Sequence, residues 1–296
     1  MSKRTLVTRR YQPPARLRGA LWARFRGEFE CEGLCRKLRG RLTKVAAPLR
    51  ALLANLIDYA GLYPPAALPL RIVLERYRGF LASPDAWILN RLVLPLAKLR
   101  DASIENHWRV TALVDDEPGP LPRQVETLEV KLPHRLSLPT YCEAPIGQIG
   151  DAYIKVRAGG STPEAIPSAD EIADFLCEAA ARRLPFKATA GLHHPLRSLR
   201  PLTYAPDSPQ AMMHGFLNVF LAAAFAWHGT KRGVILEILN ETEGGAFEFG
   251  EKAIAWGGHK LSTQQIAEAR RDFAHSFGSC SFEEPVTELR GLDLLP

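Results

Sequence analysis

The chain has 296 residues, of which 46% are hydrophobic and 24% charged, as is ordinary for a globular protein with a sizeable core. The formal net charge is +6, but residues 1–44 hold 13 Lys or Arg against three acids, so the other residues carry about −4. The main body therefore shows no electrostatic signature of nucleic-acid binding, and only the basic arm could contact RNA or an acidic partner.

The longest apolar run, 216–227, is too short to span a bilayer, and we find no secretory signal pattern. Five widely spaced cysteines favour reduced thiols, so we expect a cytoplasmic protein with no membrane partner. We expect residues 1–44 to be a poorly ordered basic extension and residues 45–296 to be a single α/β barrel-like domain. Association of copies into a homo-oligomer is left open.

The first part of this domain alternates helical and strand-like patterns. Leucines at helical spacing predict helices over 46–57 and 70–81, separated by a proline-rich run. Apolar and β-branched runs predict strands, with a Pro/Gly loop between the third and fourth. The strand candidates of this half are 57–62, 87–94, 109–115, 125–132 and 141–146.

The central stretch, 153–195, reads as strand, helix, strand within about forty residues, which is a βαβ unit. In the first strand, 153–158, Lys155, Arg157 and Gly159 share one face because side chains alternate. In the second, 186–190, Lys187 and Thr189 share a face. Polar residues on one face of such strands point to a site.

The last part of the chain is mainly helical. Apolar residues predict a long helix over 210–227 and a shorter one over 234–239. An alternating segment turning at residues 250–252 predicts a hairpin. An amphipathic helix over 262–275, which Ser262 or Thr263 can cap, precedes a final strand over 276–282.

Eight mostly parallel strands in about 250 residues match a TIM-like (β/α)₈ barrel in size and order. The connections between the third, fourth and fifth strands are short, so we expect a barrel that is irregular in the middle strands and carries a small β-hairpin insertion. The alternative is an open doubly wound α/β sheet.

Strand parity gathers ionisable side chains on one face of the middle strands. Glu129, Lys131, Glu143, Lys155 and Lys187 would point into the barrel as a network of paired charges, because unpaired buried charges are not tolerated. The alternative is that these strands are exposed on one face and their charges are solvated.

The lysines suggest two roles. A neutral lysine attacks a carbonyl carbon to form a Schiff base, whereas a charged lysine beside Arg157 binds a carboxylate or phosphate. Gly159 and Gly160 would let backbone N–H groups approach an anion in front of the following helix. We expect substrate contacts from Arg157, Gly159, Gly160, Thr189, Asp58 and Asn218.

His193 and His194 follow the seventh strand, at the end where barrel enzymes place their sites. Adjacent side chains point in opposite directions, so one of the two would act as a general acid or base, beside Lys155, Lys187 and Glu143 as catalytic residues. The alternatives are a divalent metal ion bound by His193, His194 and His214, or histidines that only hydrogen-bond their own loop.

Five segments together, IDYAGLYPPAALP, KVRAGG, FKATAGLHHPLR, HGFLNV and FGSCSFEEP, resemble a family of uncharacterised bacterial proteins with no assigned activity. The similarity covers about residues 46–295 and omits the basic extension. The lysine-bearing strands also resemble those of deoxyribose-phosphate aldolase-type barrels. That resemblance implies a Schiff-base role for Lys155 and an assisting role for Lys187, although the flanking residues match loosely.

The sequence thus predicts an aldolase-like lyase or an isomerase that acts on a small anionic carbonyl compound, without a cofactor. The second hypothesis is a metal-dependent barrel hydrolase or lyase that uses the histidine pair. The third is a non-enzymatic binding protein with a basic N-terminal arm.

Overall fold

A computed structural model describes residues 45–99, 102–115, 119–130, 138–143, 146 and 153–296. The predictions made for the basic extension 1–44 and for Lys131 lie outside these residues.

The described residues form thirteen strands, and eight of them close into a parallel barrel. β1 pairs with both β2 and β13, so the sheet has no edge. The closed barrel of β1–β7 and β13 confirms the predicted TIM-like architecture and replaces the open-sheet alternative. The strands are β1 (Ile57–Tyr59), β2 (Leu89–Pro95), β3 (Val110–Val114), β4 (Val125–Val130), β5 (Thr140–Glu143), β6 (Tyr153–Arg157), β7 (Phe186–Thr189), β8 (Ser198–Pro201), β9 (Gln210–Met213), β10 (Glu248–Phe249), β11 (Ala253–Trp256), β12 (His259–Ser262) and β13 (Ala274–Ser279).

Eight α-helices occur in the described parts of the chain. Between β3 and β6 the described residues contain no helix, in agreement with the irregular middle that the short connections predict. No helix of the described residues is both long enough and apolar enough to cross a membrane. The helices are α1 (Ala47–Leu53), α2 (Leu70–Leu81), α3 (Leu96–Leu99), α4 (Ala169–Ala181), α5 (Phe216–Trp227), α6 (Arg232–Asn240), α7 (Thr263–Asp272) and α8 (Glu283–Gly291).

Capping residues set the helix ends. Ser168 and Glu171 form a capping box at the start of α4, and Ser262 and Gln265 form one at α7, which confirms the cap predicted at Ser262. The first helix is shorter than the predicted 46–57. It ends at Leu53, and Asn55 then adopts a left-handed conformation with φ 49°, which turns the chain into β1.

The outer face of the barrel packs on the helices through aromatic side chains. On β7, Phe186 lies with its ring centroid 5.4 Å from Phe175 of α4 and 6.1 Å from Phe220 of α5. Phe186 is fully buried, as is Ala188 two residues later. Because side chains alternate along a strand, Lys187 and Thr189 must take the opposite, inner side.

Two small antiparallel sheets lie outside the barrel. The predicted hairpin exists as β10 and β11, and β12 adds a third strand. The predicted long helix over 210–227 is wrong in its first turns, because residues 210–213 form β9 and pair with β8. α5 starts at Phe216, after Gly215, whose extended backbone interrupts the apolar run.

Candidate functional site

A cavity of about 600 Å³ opens at the carboxyl ends of the barrel strands. In barrel enzymes this is the face that carries the active site, and the volume suits a small-molecule ligand. The cavity wall contains six of the residues that the sequence assigns to a site: Glu143, Lys155, Arg157, Gly160, Thr189 and His193.

Six charged side chains form a continuous row from the barrel interior to the cavity wall, which we call the charge chain. Its inner part is centred on Lys187, whose Nζ lies 2.5 Å from Oδ2 of Asp58 and 2.5 Å from Oε1 of Glu129. Its members, in order, are Asp58, Lys187, Glu129, Lys155, Glu143 and Arg157.

The outer part of the charge chain reaches the cavity. Lys155 Nζ lies 2.7 Å from Oε2 of Glu129 and 2.9 Å from Oε2 of Glu143. Arg157 donates from Nη2 to Oε1 of Glu143 at 2.7 Å. Three carboxylates thus alternate with three cations, and the row has no net charge.

Strand register explains this arrangement. Lys155 on β6 stands directly opposite Glu143 on β5 and Lys187 on β7, so the three lie at one level of the barrel. Lys187 is on β7 and Glu129 is on β4, with β5 and β6 between them in the sheet. Their side chains can therefore meet only across the barrel interior. Glu129 and Lys187 are therefore a buried pair, and the alternative of a solvated face does not hold for them.

The pairing fixes the ionisation of the charge chain. Burial alone would raise the pKa of Glu129, but Lys187 and Lys155 outweigh burial and hold that pKa at about 2. Burial would lower the pKa of Lys187, but Asp58 and Glu129 raise it above its usual value. The pKa of Glu143 is lowered, because Lys155 and Arg157 overcome its burial. Glu129, Glu143 and Lys187 are therefore charged at neutral pH.

Asp58 anchors the inner end of the charge chain and lies below the cavity wall. Its Oδ1 accepts hydrogen bonds from Asn90 Nδ2 at 2.7 Å and from the Arg91 N–H at 3.1 Å. Its Oδ2 accepts one from Ser276 Oγ at 2.8 Å, in addition to Lys187. With its side chain 1% exposed, Asp58 contacts these groups and orients Lys187.

The loops after β6 and β7 pack tightly through glycine. A Cβ added to Gly191 would lie 2.7 Å from the Cα of Gly159, and Gly191 has a left-handed φ of 74°. Ala190 also has a left-handed φ, 57°, and lines the cavity. Such backbone strain in a non-glycine residue is often found at functional sites.

The helix end expected to bind an anion is already occupied. α4 begins at Ala169, after a 3₁₀ turn at Pro163–Ala165, and the Glu171 carboxylate accepts from the Ser168 N–H at 2.7 Å. The Ser168–Glu171 capping box satisfies N–H groups at this helix start, and anion binding by the Gly159–Gly160 turn stays a prediction.

His193 lines the cavity, whereas its neighbour His194 contacts α8. His193 Nδ1 lies 3.4 Å from Ser279 Oγ and 3.7 Å from Glu284 Oε2. Burial, and then His194, lowers the pKa of His193 to about 4, so this imidazole is neutral at pH 7 and a weaker base than an ordinary histidine. His194 Nδ1 lies 2.8 Å from Glu288 Oε1.

His214 and Asn218 also lie outside the cavity wall, and both are engaged in hydrogen bonds elsewhere. His214 donates from Nε2 to the Pro167 carbonyl at 2.7 Å and has Arg197 Nη1 3.4 Å from its Nδ1, so both ring nitrogens are engaged. Asn218 accepts from the Arg197 N–H at 3.0 Å and donates to two carbonyls of the α6 region, at Ile238 and Glu241. Both residues are fully buried. They fasten α5 to its surroundings.

The structure does not gather the predicted metal set of His193, His194 and His214. The ring nitrogens of His214 contact the Pro167 carbonyl and Arg197. Instead, the residues it brings within ligand reach of one another, in the described part of the chain, are His194, Glu284 and Glu288.

Five residues at or near the site were not predicted from the sequence. Asn90 and Ser276 hold Asp58, and Glu284 and Glu288 approach the histidines from α8. Tyr63 lines the cavity, and its buried hydroxyl has no hydrogen-bond partner among the described residues. The spacing of four between Glu284 and Glu288 indicated only that they share one face of a helix. His194, which Glu288 contacts, lies 94 residues earlier in the chain.

Comparison of the chain with known protein families, curated proteins and solved structures gives no match. The resemblances to a bacterial family and to aldolase-type barrels therefore stay predictions.

Proposed function

We propose that the chain is an enzyme, a lyase or isomerase, that acts on a small carbonyl compound with an anionic group. The observation that supports this most is the position of Lys155, which lines the cavity and shares the Glu129 carboxylate with the buried Lys187. In this proposal Lys155 is the amine that bonds to substrate.

Lys187 does not suit that role. Its side chain is 2% exposed and held by two carboxylates that raise its pKa, so it is a permanent ammonium away from the wall. A protonated amine has no lone pair with which to attack. The Lys187 ammonium instead neutralises the Glu129 carboxylate, which also contacts Lys155.

Lys155 can become a free amine by giving one proton to Glu143, 2.9 Å away. The amine lone pair then forms the C–N bond at the carbonyl carbon while the C=O π pair moves to the oxygen. That oxygen leaves as water with two protons that come from the Lys155 nitrogen by way of Glu143, which ends ionised, and the product is a protonated imine. Glu143 is held ionised partly by Arg157. When the anionic group of a substrate takes over Arg157, the affinity of Glu143 for that proton rises.

Other groups of the wall fit the same substrate class. Arg157 has a guanidinium that is 52% exposed and suits a carboxylate or phosphate. Tyr63 offers an unpartnered hydroxyl to a substrate oxygen. His193 lines the same cavity as Lys155, so its imidazole is the group we assign to proton transfer next to the imine.

The proposed setting is the cytoplasm, with a small anionic metabolite as partner. Within the described part of the chain Cys177 and Cys280 form no disulfide, which supports a reducing compartment. Burial raises the pKa of the Cys280 thiol at the cavity wall, which keeps it protonated and makes it a poor nucleophile.

Borohydride trapping tests the proposal. The full-length protein is incubated with pyruvate, glyoxylate, dihydroxyacetone phosphate and glyceraldehyde 3-phosphate, reduced, and analysed by intact mass and peptide mapping. We expect one adduct at Lys155 with at least one ligand, lost in K155R and retained in the surface control K252R. Absence of any adduct across the panel, or an equal adduct in K155R, would contradict it.

A further inference from the structure

A second cluster of ionisable side chains lies beside the cavity, where the loop after β7 meets α8. We call His194, Glu284 and Glu288 the His–Glu cluster; their ligand atoms all lie within 4.8 Å of one another. We propose that the His–Glu cluster binds a divalent transition-metal ion of the Zn²⁺ type.

The three ligands are held on well-defined backbone. Glu284 and Glu288 are four residues apart on α8 and so project from the same side of the helix. The His194 carbonyl accepts from the Phe216 N–H at 2.9 Å, which ties its loop to the start of α5. Rigid elements of this kind preorganise a metal site before the ion arrives.

The contacts of His194 leave it ready to bind a metal. Its Nδ1 lies 2.8 Å from Glu288 Oε1, and within the described residues its Nε2 has no hydrogen-bond partner. The side chain is only 8% exposed. A metal ion would replace the proton that joins the imidazole to Glu288, since a ligating imidazole must be unprotonated.

Charge also favours a cation at this position. Two carboxylates, 29% and 25% exposed, have oxygen atoms within 4.8 Å of each other and of a His194 ring nitrogen. Arg200, partly exposed, reaches Glu288 Oε2 at 3.4 Å. The charge chain has one cation for each carboxylate, whereas the His–Glu cluster has two carboxylates that share one arginine and an imidazole.

The donor set selects the metal class. One imidazole nitrogen with two carboxylates suits Zn²⁺, which commonly takes three protein ligands and leaves a fourth position open. Mg²⁺ and Ca²⁺ prefer oxygen ligands alone. Arg200 and the hydroxyl of Tyr204, 3.3 Å from Glu284 Oε2, would then orient the carboxylates from outside the metal's own shell.

The ion would fasten the loop after β7 to α8. His193, the next residue in that loop, lines the cavity and lies 3.7 Å from Glu284. The ion would thus have a positioning role, holding His193 at the wall, and would take no part in bonding to the substrate.

Calorimetric titration with Zn²⁺ tests this site. The full chain is purified without a histidine tag and freed of metal with a chelator. We expect about one Zn²⁺ per chain, with the affinity at least tenfold lower in E284Q/E288Q and in H194A. The matched control is D170N/D174N, which removes another pair of acids four apart, on α4.

Co²⁺ absorption separates this site from a thiolate site. Cobalt held by imidazole and carboxylate gives ligand-field bands without a thiolate charge-transfer band. The variant C31S/C35S, which removes the two cysteines of the basic extension, should bind Co²⁺ as the wild type does. Thermal unfolding in chelator checks that each variant is folded. Added Zn²⁺ should raise the midpoint of the wild type and of the two control variants, but not that of E284Q/E288Q or H194A. No Zn²⁺ uptake, a thiolate band, or equal affinity in folded E284Q/E288Q overturns the proposal.

Discussion

The charge chain reaches the cavity wall, and the His–Glu cluster lies next to His193 of the same wall. The two are built from similar groups but differ in their balance of charge. The charge chain pairs each of three carboxylates with a cation, and its inner half is almost inaccessible to water. The His–Glu cluster has two partly exposed carboxylates, one arginine and an imidazole. The first arrangement has no place for a metal ion, while the second has one.

The difference matters because a buried charge is tolerated only with its partner. Removing one member of the charge chain leaves an uncompensated charge in the barrel interior. Removing one carboxylate of the His–Glu cluster reduces a repulsion between like charges. The two regions should therefore respond to substitution with effects of different size, and the predictions below run from the largest effect to the smallest.

Lys187→Met gives the largest expected effect. It leaves Asp58 and Glu129 without their common cation, which should lower the free energy of unfolding by about 3–5 kcal/mol. Urea denaturation measures this loss. The matched control is Arg157→Met, at the exposed end of the charge chain, with an expected loss of at most about 1 kcal/mol. Similar losses of unfolding free energy in the two variants would mean that the inner end of the charge chain depends on charge pairing no more than the exposed end does.

Glu129→Gln should change the acid side of the pH–stability profile. The pKa of Glu129 is about 2 in the folded protein against an ordinary 4.5, so its stabilisation is complete above pH 4.5 and is lost as the pH falls towards 2. The variant lacks this titration, and its unfolding midpoint should fall less steeply over that range. Parallel profiles for variant and wild type, from urea melts at stepwise lower pH, would contradict the pairing.

Gly191→Ala should disturb the loop that carries both histidines. The new Cβ would meet Gly159 at 2.7 Å, and φ is left-handed, so we expect a loss of about 2 kcal/mol. Gly79→Ala is the control, since a Cβ there meets nothing within 4 Å and alanine favours the helix, with an expected gain of about 0.5–1 kcal/mol. Thermal melts that rank the two variants alike would argue against the close approach of the loops.

Glu288→Gln gives the smallest expected effect. In chelator, the free energy of unfolding should change by less than about 1 kcal/mol, because the carboxylate is partly exposed and its removal relieves repulsion with Glu284. Urea denaturation beside Glu129→Gln at pH 7 makes the comparison direct. A loss as large as that of Glu129→Gln would show that both clusters are equally dependent on their carboxylates.

The barrel was predictable because the sequence has eight strand-like runs, with helical patterns between those outside its middle part. The alternation of side chains predicted that Lys155 and Arg157 share one face of β6 and that Lys187 and Thr189 share one face of β7. In the structure β6 and β7 are neighbours, with Lys155 opposite Lys187 and Arg157 opposite Thr189. The start of α5 was not predictable. Residues 210–213 are apolar enough to extend the helix, and only their pairing with β8 shows them to be a strand.

The partners of the site residues could not be predicted as well as the residues themselves. His194 meets Glu288 across 94 residues, and Asp58 meets Ser276 across 218, so no local spacing encodes either contact. Asn218 and His214 looked like site members because polar residues stood in an apolar stretch. In the fold they hydrogen-bond backbone around α5, where such groups must be satisfied.

The most direct test of the account is a quantitative map of both lysines after borohydride trapping in the presence of chelator. We predict an adduct at Lys155, none at Lys187, and the same site of modification in E284Q/E288Q, because the amine chemistry belongs to the charge chain alone. An adduct at Lys187, or trapping that requires Zn²⁺ at the His–Glu cluster, would contradict this division of the cavity.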